Sequence, residues 1–362
     1  IQGLNYSKRS TDLYLLPVLK AEPLSSTSWE TVLLKQSRNA DWGQLRADVP
    51  RPPGDVTRLQ ESPERYLHYL EGRILQREGK HLQAVEKLGR VVRLDPNRPE
   101  PFLCLADSLK ASGEPGAAEA RLREALQGGP GGAPATRKLW ESWVALSLVD
   151  LKRTPSEILA AFPARLPAVR AARPRALPAG SSGSGKDAAY GEDVHWALER
   201  LSSGEPIRIR CGGGEYRSAA GVLWGKDRFY NTGHTSEERP KQALGLLDVS
   251  GTEDDPLYLG GRYFKAGDLE RPGYRVPLPP GRYRVTLHFA EVVHREPAAR
   301  RFGVRLEAKP VLDGFEPAAA GFAVAQKRAF QAPVEDGFLE IEFVRETENP
   351  RVAGIEIERI DS

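Results

Sequence analysis

Residues 281–291, GRYRVTLHFAE, decide the fold class of the C-terminal half of the chain. Apolar side chains at Tyr283, Val285, Leu287 and Phe289 alternate with polar ones, and a period of two is typical of a half-buried β-strand. The same alternation recurs in the segments 301–306, 339–343 and 355–357, with turn signals at 279–281 and 335–337. Several short strands without intervening helices predict an all-β antiparallel sandwich.

The N-terminal half contains a repeat with a period of 34 residues. The positions Gly72, Ala84, Leu88, Val91 and Pro96 recur as Ala106, Ala118, Leu122, Ala125 and Pro130. Small residues let two antiparallel helices approach closely, while leucines fill the seam between them. By its period this segment resembles a tetratricopeptide repeat protein, although the early aromatic of each repeat is present only as His68 and Phe102.

Two repeats need flanking helices that cap them. Upstream, short amphipathic helices are predicted at Thr11–Lys20, Trp29–Lys35 and Trp42–Leu45. Downstream, apolar residues recur at helical spacing from Leu139 to Val149, and residues 154–157 (TPSE) form a capping box. Residues 1–162 are therefore predicted to form an all-α, tetratricopeptide-like domain.

The composition changes between residues 163 and 193. Prolines are followed by GSSGSG at 180–185, and large apolar residues are almost absent before Tyr190. Such a segment predicts a Pro/Gly/Ser-rich linker. A short helix at Val194–Leu201 is expected to lead into the strands. The chain is thus predicted to be multidomain, with a helical-repeat domain (1–162), a linker (163–193) and a β-sandwich (194–362).

The charge balance excludes several classes of partner. The 362 residues include 52 Lys and Arg against 49 Asp and Glu, a net charge of +3, so no basic excess points to nucleic acid or to an anionic membrane. No apolar run is long enough for a membrane span. Cys104 and Cys211 are too few for a disulfide framework. Because the chain starts with Ile1, we expect the native N-terminus to lie upstream.

The ordered series of motifs from Ile207 to Ile360 resembles a malectin domain. The series comprises Arg210 to Gly214 (RCGGG), Trp224 to Asp227 with Tyr230, Asp254-Asp255 with Leu257-Tyr258, Arg262-Tyr263, Gly273 to Pro277, Gly281 to Glu291, Arg301 to Val304, Asp336 to Leu339 and Asn349 to Ile357. The resemblance implies a malectin-like sandwich that binds a carbohydrate or glycan without a cofactor. It also favours a secreted, periplasmic or lumenal location.

The same resemblance implies which side chains meet the sugar. A pyranose needs an aromatic ring against its apolar face and polar groups around its hydroxyl rim. Trp224 corresponds to the family's aromatic in the loop after Gly221, and Glu348 to its carboxylate before the Asn-Pro turn. Weaker candidates are Asp227, Tyr230 and Tyr263. The structural alternatives are core packing for Trp224, Tyr230 and Tyr263, and a solvated turn carboxylate for Glu348.

One departure from the family concerns the residues after Glu291. Animal malectins carry two adjacent aromatics there, whereas this chain has Val293-His294. His294 could still donate a hydrogen bond to a sugar, so it is kept as a candidate, with an exposed strand histidine as the alternative for both it and His288. The alternative function is a protein interaction scaffold whose malectin-like domain no longer binds sugar.

No catalytic or metal-binding constellation is predicted. Asp254-Asp255 could suggest a glycosidase pair, but adjacent strand residues point to opposite faces, and turn capping is the favoured interpretation. Neither histidine has further ligands at metal spacing. The sequence therefore predicts a non-catalytic adaptor that binds a carbohydrate through its C-terminal domain and a protein partner through its helical repeats.

Overall fold

A computed structural model describes residues 63–127, 136–163, 184–236, 247–268 and 271–361. The chain divides into two compact units. The first comprises Ile1–Trp143 and Pro163–Ser184, and the second comprises Val144–Phe162 and Gly185–Ser362. The predicted upstream helices 11–20, 29–35 and 42–45, and most of the predicted linker, lie outside the described residues.

The first unit contains consecutive helices that pack against their neighbours in sequence. These are α1 (Pro63–Arg77), α2 (His81–Leu94), α3 (Pro99–Ala111) and α4 (Pro115–Gln127), followed by α5 (Arg137–Ala145), which continues into the second unit. Gly79 and Gly113 end the turns within the two helix pairs, with φ of 72° and 86°, a conformation that favours glycine. The N-terminal part of the described chain is helical, as predicted.

The second unit begins with helical segments and continues as a set of strands. A π-helical turn (Leu146–Asp150), α6 (Pro155–Ala160) and α7 (Ser184–Ser202) precede β1 (Ile207–Arg210). Helix α7 begins inside the segment predicted as linker, and residues 144–162 group with the strands rather than with helices α1 to α4. Both observations differ from the predicted boundaries at 162 and 193.

Two four-stranded antiparallel sheets form the main part of this unit. Besides β1, their strands are β6 (Gly273–Pro277), β7 (Gly281–Phe289), β8 (Arg301–Leu306), β9 (Lys309–Phe315), β10 (Gln326–Val334), β11 (Phe338–Thr347) and β13 (Gly354–Arg359). The strand orders are β1-β13-β7-β10 and β6-β11-β8-β9. The alternation predicted for β7 is confirmed, since the four apolar side chains from Tyr283 to Phe289 are at most 1% exposed. Phe289 contacts Phe302 of the other sheet, with ring centroids 5.8 Å apart.

Shorter elements complete the unit and carry the candidate residues. They are β2 (Tyr216–Arg217), β3 (Leu223–Trp224), β4 (His234–Thr235), α8 (Asp255–Leu259), β5 (Arg262–Tyr263), the 3-10 helix Pro317–Ala320, and β12 (Arg351–Val352). Strands β12, β5 and β4 form a small antiparallel sheet, and β2 pairs with β3. No helix of the described residues combines the length and the apolar character needed to cross a membrane.

Candidate functional site

Trp224 lies in the core and does not present a ring face to a ligand. Its side chain is 4% exposed and belongs to an apolar cluster that includes Leu257 and Tyr258. The Trp224 and His288 rings meet edge to face, with centroids 5.1 Å apart, and the Trp224 ring occupies the space where Gly354 lacks a Cβ. The core-packing alternative therefore describes Trp224, and its predicted role as a sugar platform does not fit this structure.

Asp227 is also an internal residue. Its carboxylate accepts hydrogen bonds from the Arg262 Nε, the Gly212 amide and the Tyr274 hydroxyl at 2.7, 2.7 and 3.0 Å. The side chain is 7% exposed, so its acceptor positions serve the fold and not a ligand. The predicted contact between Asp227 and a sugar does not fit this arrangement.

Tyr230 lies against Arg262, the residue that donates to Asp227. Its ring covers the Arg262 guanidinium, with the Arg262 Cζ 3.4 Å from the ring centroid, and the residue is 37% exposed. One face of Tyr230 is thus occupied by a cation–π contact.

Tyr263 forms an aromatic pair at the surface. Strands β4 and β5 pair His234 with Tyr263, and the two rings stack with centroids 5.5 Å apart and an interplanar angle of 29°. Asp268 lies 3.6 Å from the His234 Nε2 and accepts a hydrogen bond from the Lys265 amide. The Lys265 Nζ is 5.7 Å from the Tyr263 ring centroid. An aromatic surface with donors and acceptors beside it is the combination that a sugar requires.

A buried ion pair joins the loops that carry His294 and Glu348. Arg300 donates to Glu291 at 2.6 Å and also to the backbone carbonyl of Asn349. Glu291 in turn accepts hydrogen bonds from the amides of Val293 and His294. Burial alone would raise the pKa of Glu291, but the Arg300 guanidinium and these donors hold that pKa below its ordinary value. The carboxylate therefore orders both loops while it stays charged.

Strand pairing brings the Glu348 loop beside Tyr263. Arg351 of β12 pairs with Tyr263 of β5, and the Phe264 amide donates to the Pro350 carbonyl at 3.1 Å. Continuing this antiparallel register places Asn349 opposite Lys265. Glu348, one residue earlier, is half-buried with φ of 57°, a left-handed conformation that is uncommon outside glycine.

Strand pairing and the Glu291–Arg300 ion pair connect the segments that carry a group of residues, which we call the loop surface. It consists of His234, Tyr263, Lys265, Asp268, His294 and Glu348. Three of the six sequence candidates, Tyr263, His294 and Glu348, lie on it, whereas Trp224 and Asp227 are buried and Tyr230 covers Arg262. His234, Lys265 and Asp268 were not predicted. The pairing of β4 with β5 brings His234 to Tyr263, and the turn after β5 brings Asp268 back to His234 and Lys265.

A hydrogen-bonded network of buried side chains lies next to Trp224. The Tyr258 hydroxyl is 2.9 Å from the His288 Nδ1, and the His288 Nε2 is 2.9 Å from Glu356, which also accepts from Arg208. Since a carboxylate only accepts, His288 donates through Nε2. Burial alone would raise the pKa of Glu356, but the hydrogen bonds from His288 and Arg208 lower it to about 2.

The burial of His288 in this network differs from the prediction. His288 is 1% exposed, so its interpretation as an exposed strand histidine was wrong. The elements that cover it come from distant parts of the sequence.

Asp254 and Asp255 order the turns around α8. Asp254 accepts hydrogen bonds from the Tyr216 hydroxyl and the Ala219 amide at 3.1 and 2.7 Å. Asp255 accepts from the Val249 amide at 3.3 Å. The turn-ordering interpretation of the two carboxylates is confirmed. Among the described residues, no group of three His, Cys, Asp or Glu side chains could hold a metal ion.

Comparison with known families identifies the C-terminal part of the chain. Residues 206–360 match the family model of the malectin domain. The search of curated proteins gave no match. The chain therefore carries a malectin domain over residues 206–360, as the order of motifs predicted.

Solved structures with a distant likeness include a bacterial enzyme and plant receptors. A β-glucuronidase of Bacteroides uniformis is 20% identical, with a TM-score of 0.38, over 45% of this chain and 19% of that chain. The ANX2 ectodomain of Arabidopsis thaliana is 15% identical, with a TM-score of 0.37, over 43% of this chain and 50% of that chain. The present chain thus spans about a fifth of the glucuronidase and half of the ectodomain.

Proposed function

We propose that the malectin domain of residues 206–360 binds a carbohydrate at the loop surface and that the helical unit binds a protein partner, so that the protein is a non-catalytic adaptor. The observation that carries the proposal is the stacked pair of Tyr263 and His234, bordered by Lys265 and Asp268. In this proposal Tyr263 and His234 supply the aromatic platform that the family resemblance assigns to Trp224.

The chemistry of the loop surface suits a neutral or weakly charged sugar. His234 stacks on one face of Tyr263, and the two rings together offer an apolar surface for the C–H groups of a pyranose. Asp268 and Glu348 supply acceptors for hydroxyl groups, and Lys265 supplies a donor. His294 adds a group that can donate or accept. Because the Glu291–Arg300 ion pair orders the loops in the free protein, sugar binding costs less conformational entropy.

The helical unit supports the second half of the proposal through its repeated geometry. Gly79 and Gly113, which are 34 residues apart, occupy the same place in two successive helix pairs. At Gly72, a Cβ would come within 2.6 Å of the Leu88 side chain, so the small residue permits close helix packing. We interpret the pairs as tetratricopeptide-like repeats and the two main sheets of the other unit as a sandwich. Helical repeats of this kind present extended surfaces to proteins.

The alternative function is a protein interaction scaffold that binds no sugar. Its support is the burial of Trp224 and the position of Val293, which packs against the same apolar cluster. In this alternative, residues at the positions where the family contacts its sugar pack in the core instead and contribute to stability rather than to ligand binding.

Saccharide binding by the full chain separates the two functions. A glycan array first identifies a sugar, and calorimetric titration then compares the wild type with Tyr263→Ala. Tyr230→Ala is the matched control, because Tyr230 contacts Arg262, whose side chain leaves β5 on the opposite face from Tyr263. The adaptor requires that Tyr263→Ala loses binding while Tyr230→Ala keeps it. Binding to no saccharide by the intact chain would establish the scaffold instead.

The non-catalytic part of the proposal has its own test. The purified chain should release no aryl group from a panel of aryl glycosides. Hydrolysis that disappears in Asp254→Asn would contradict it, since Asp254 is placed here in a turn.

A further inference from the structure

A cleft opens at the other end of the sheet from the loop surface. Strand β7 runs from Gly281 to Phe289, and its first residue pairs with Val334 of β10. The cleft lies beside this starting end and has a volume of about 560 Å³. Because each strand residue advances the chain by about 3.3 Å, the cleft is separated from the loops after Phe289 by roughly 25 Å. It is therefore independent of the proposed sugar site.

The walls of the cleft are mainly aliphatic. The apolar residues that line it are Leu148, Val149, Pro155, Pro279, Pro280 and Val334. None of the described lining residues is aromatic, so the cleft lacks the ring face that a sugar needs. Its volume lies within the range of roughly 300–1,000 Å³ that is usual for small-molecule sites. The walls favour a ligand with an aliphatic or aromatic body.

The segment on one side of the cleft has an unusual backbone. Residues 146–150 form a π-helical turn, a rare conformation that recurs at functional sites. Lys152 follows with φ of 51°, which is uncommon for a residue with a side chain. The segment is held in place on both sides. Thr154 and Glu157 form a capping box, and Val149 lies 3.3 Å from the position that a Cβ of Gly337 would take.

The charges at the mouth of the cleft favour an anion. Lys152 is exposed and forms no ion pair with any residue that the structure describes. Arg153 lies next to it. Arg359 belongs to the wall, since it donates to Asp361 at 2.8 Å and to the Pro280 carbonyl at 3.2 Å. Asp361 thus offsets the charge of Arg359, and the pKa of Glu157, lowered mainly by its hydrogen bonds with Thr154, is lowered further by nearby Arg153. Glu335 is the carboxylate among the lining residues.

We infer that this cleft is a second binding site, for a small amphipathic anion whose apolar body lies against the aliphatic wall and whose carboxylate or sulfonate meets Lys152. Lys152 and Glu335, both at the mouth of the cleft, then act in opposite directions. Lys152 attracts the anion, and Glu335 repels it.

The test uses anilinonaphthalene sulfonate, an apolar anion that fluoresces when bound, with the full chain. Lys152→Gln should weaken its binding about two- to fivefold, as expected for loss of an exposed charge pair, and Glu335→Gln should tighten it by a similar factor. Lys327→Gln is the matched control and should change nothing, because Lys327 is exposed and lies at the far end of β10 from Val334, roughly 23 Å away. Octanoate should displace the probe, whereas octanol at the same concentration should displace much less.

Circular dichroism and thermal unfolding of each variant accompany the titrations, because the probe also binds loosened folds. The inference is overturned if the intact chain does not bind the probe. It is equally overturned if Lys152→Gln and Glu335→Gln, both folded, bind with wild-type affinity or shift in the same direction. If octanoate and octanol compete equally, the anion selectivity is wrong.

Discussion

Replacement of Trp224 by alanine distinguishes a core residue from a sugar platform. The ring is 4% exposed, meets His288 edge to face and fills the space beside Gly354. Large-to-small changes of buried tryptophan cost about 3–5 kcal/mol, because transfer free energy is lost and a cavity remains. Trp224→Ala should therefore lower the free energy of unfolding by about this amount. Tyr230→Ala, at a residue 37% exposed, should cost only about 1 kcal/mol through its contact with Arg262.

Urea unfolding followed by circular dichroism measures both variants. Since the chain has two compact units, the transition that Trp224→Ala shifts is assigned to the β-rich unit, and its midpoint and slope give the change in free energy. A core role for Trp224 would be contradicted if Trp224→Ala changed the free energy of unfolding by less than about 1 kcal/mol while it abolished binding to a saccharide that the wild type recognises. Trp224 would then be a ligand contact and the buried position would be incorrect.

Three further predictions concern the framework around the site. Glu291→Ala should cost about 3–5 kcal/mol in urea unfolding, because it leaves Arg300 buried without its carboxylate; a cost below about 1 kcal/mol would show that the pair does not order the loops. The folded-state pKa of Glu356, about 2, is below its unfolded value, so this residue stabilises the fold above pH about 4.5 and its contribution, at most about 3 kcal/mol, is lost as the pH falls to about 2. Between pH about 4.5 and about 2, the free energy of unfolding of Glu356→Gln should therefore fall less than that of the wild type. Identical dependence of the two free energies on pH would contradict the low pKa of Glu356. Gly273→Ala should fail to fold or unfold at much lower urea, because its Cβ would lie 1.8 Å from the Ile341 carbonyl oxygen; wild-type stability would show that β6 and β11 do not pack as described.

The strands could be predicted from the sequence because alternation reports burial directly. In β7, every second residue from Tyr283 to Phe289 is core, and the period of two required no knowledge of distant partners. The malectin domain could be predicted for a similar reason, since the order of its motifs survives although each motif is weak. Helix α7 had a usable signal too. Its second half, Val194–Leu201, is predicted as a helix, and Tyr190 is buried at helical spacing from Val194. The Gly/Ser composition before Tyr190 nevertheless favours a linker for the first half.

The environment of individual side chains could not be predicted. Trp224 is buried because a two-residue strand places it against Gly354, far along the chain. His288 falls on the polar face of β7 by its period, yet Tyr258 and Glu356 from other elements enclose it. Such contacts depend on tertiary packing, which no local pattern reports. For the same reason His234 became a candidate only through its pairing with Tyr263.

The most direct test of the proposed function is the calorimetric titration of wild type and Tyr263→Ala with a saccharide selected on the glycan array. Loss of one stacking aromatic with its polar surroundings intact should weaken binding by about tenfold or more. Tyr263→Ala should show this loss with unchanged thermal unfolding, and Tyr230→Ala should keep wild-type affinity. Equal affinity of the wild type and Tyr263→Ala would contradict a sugar site on the loop surface.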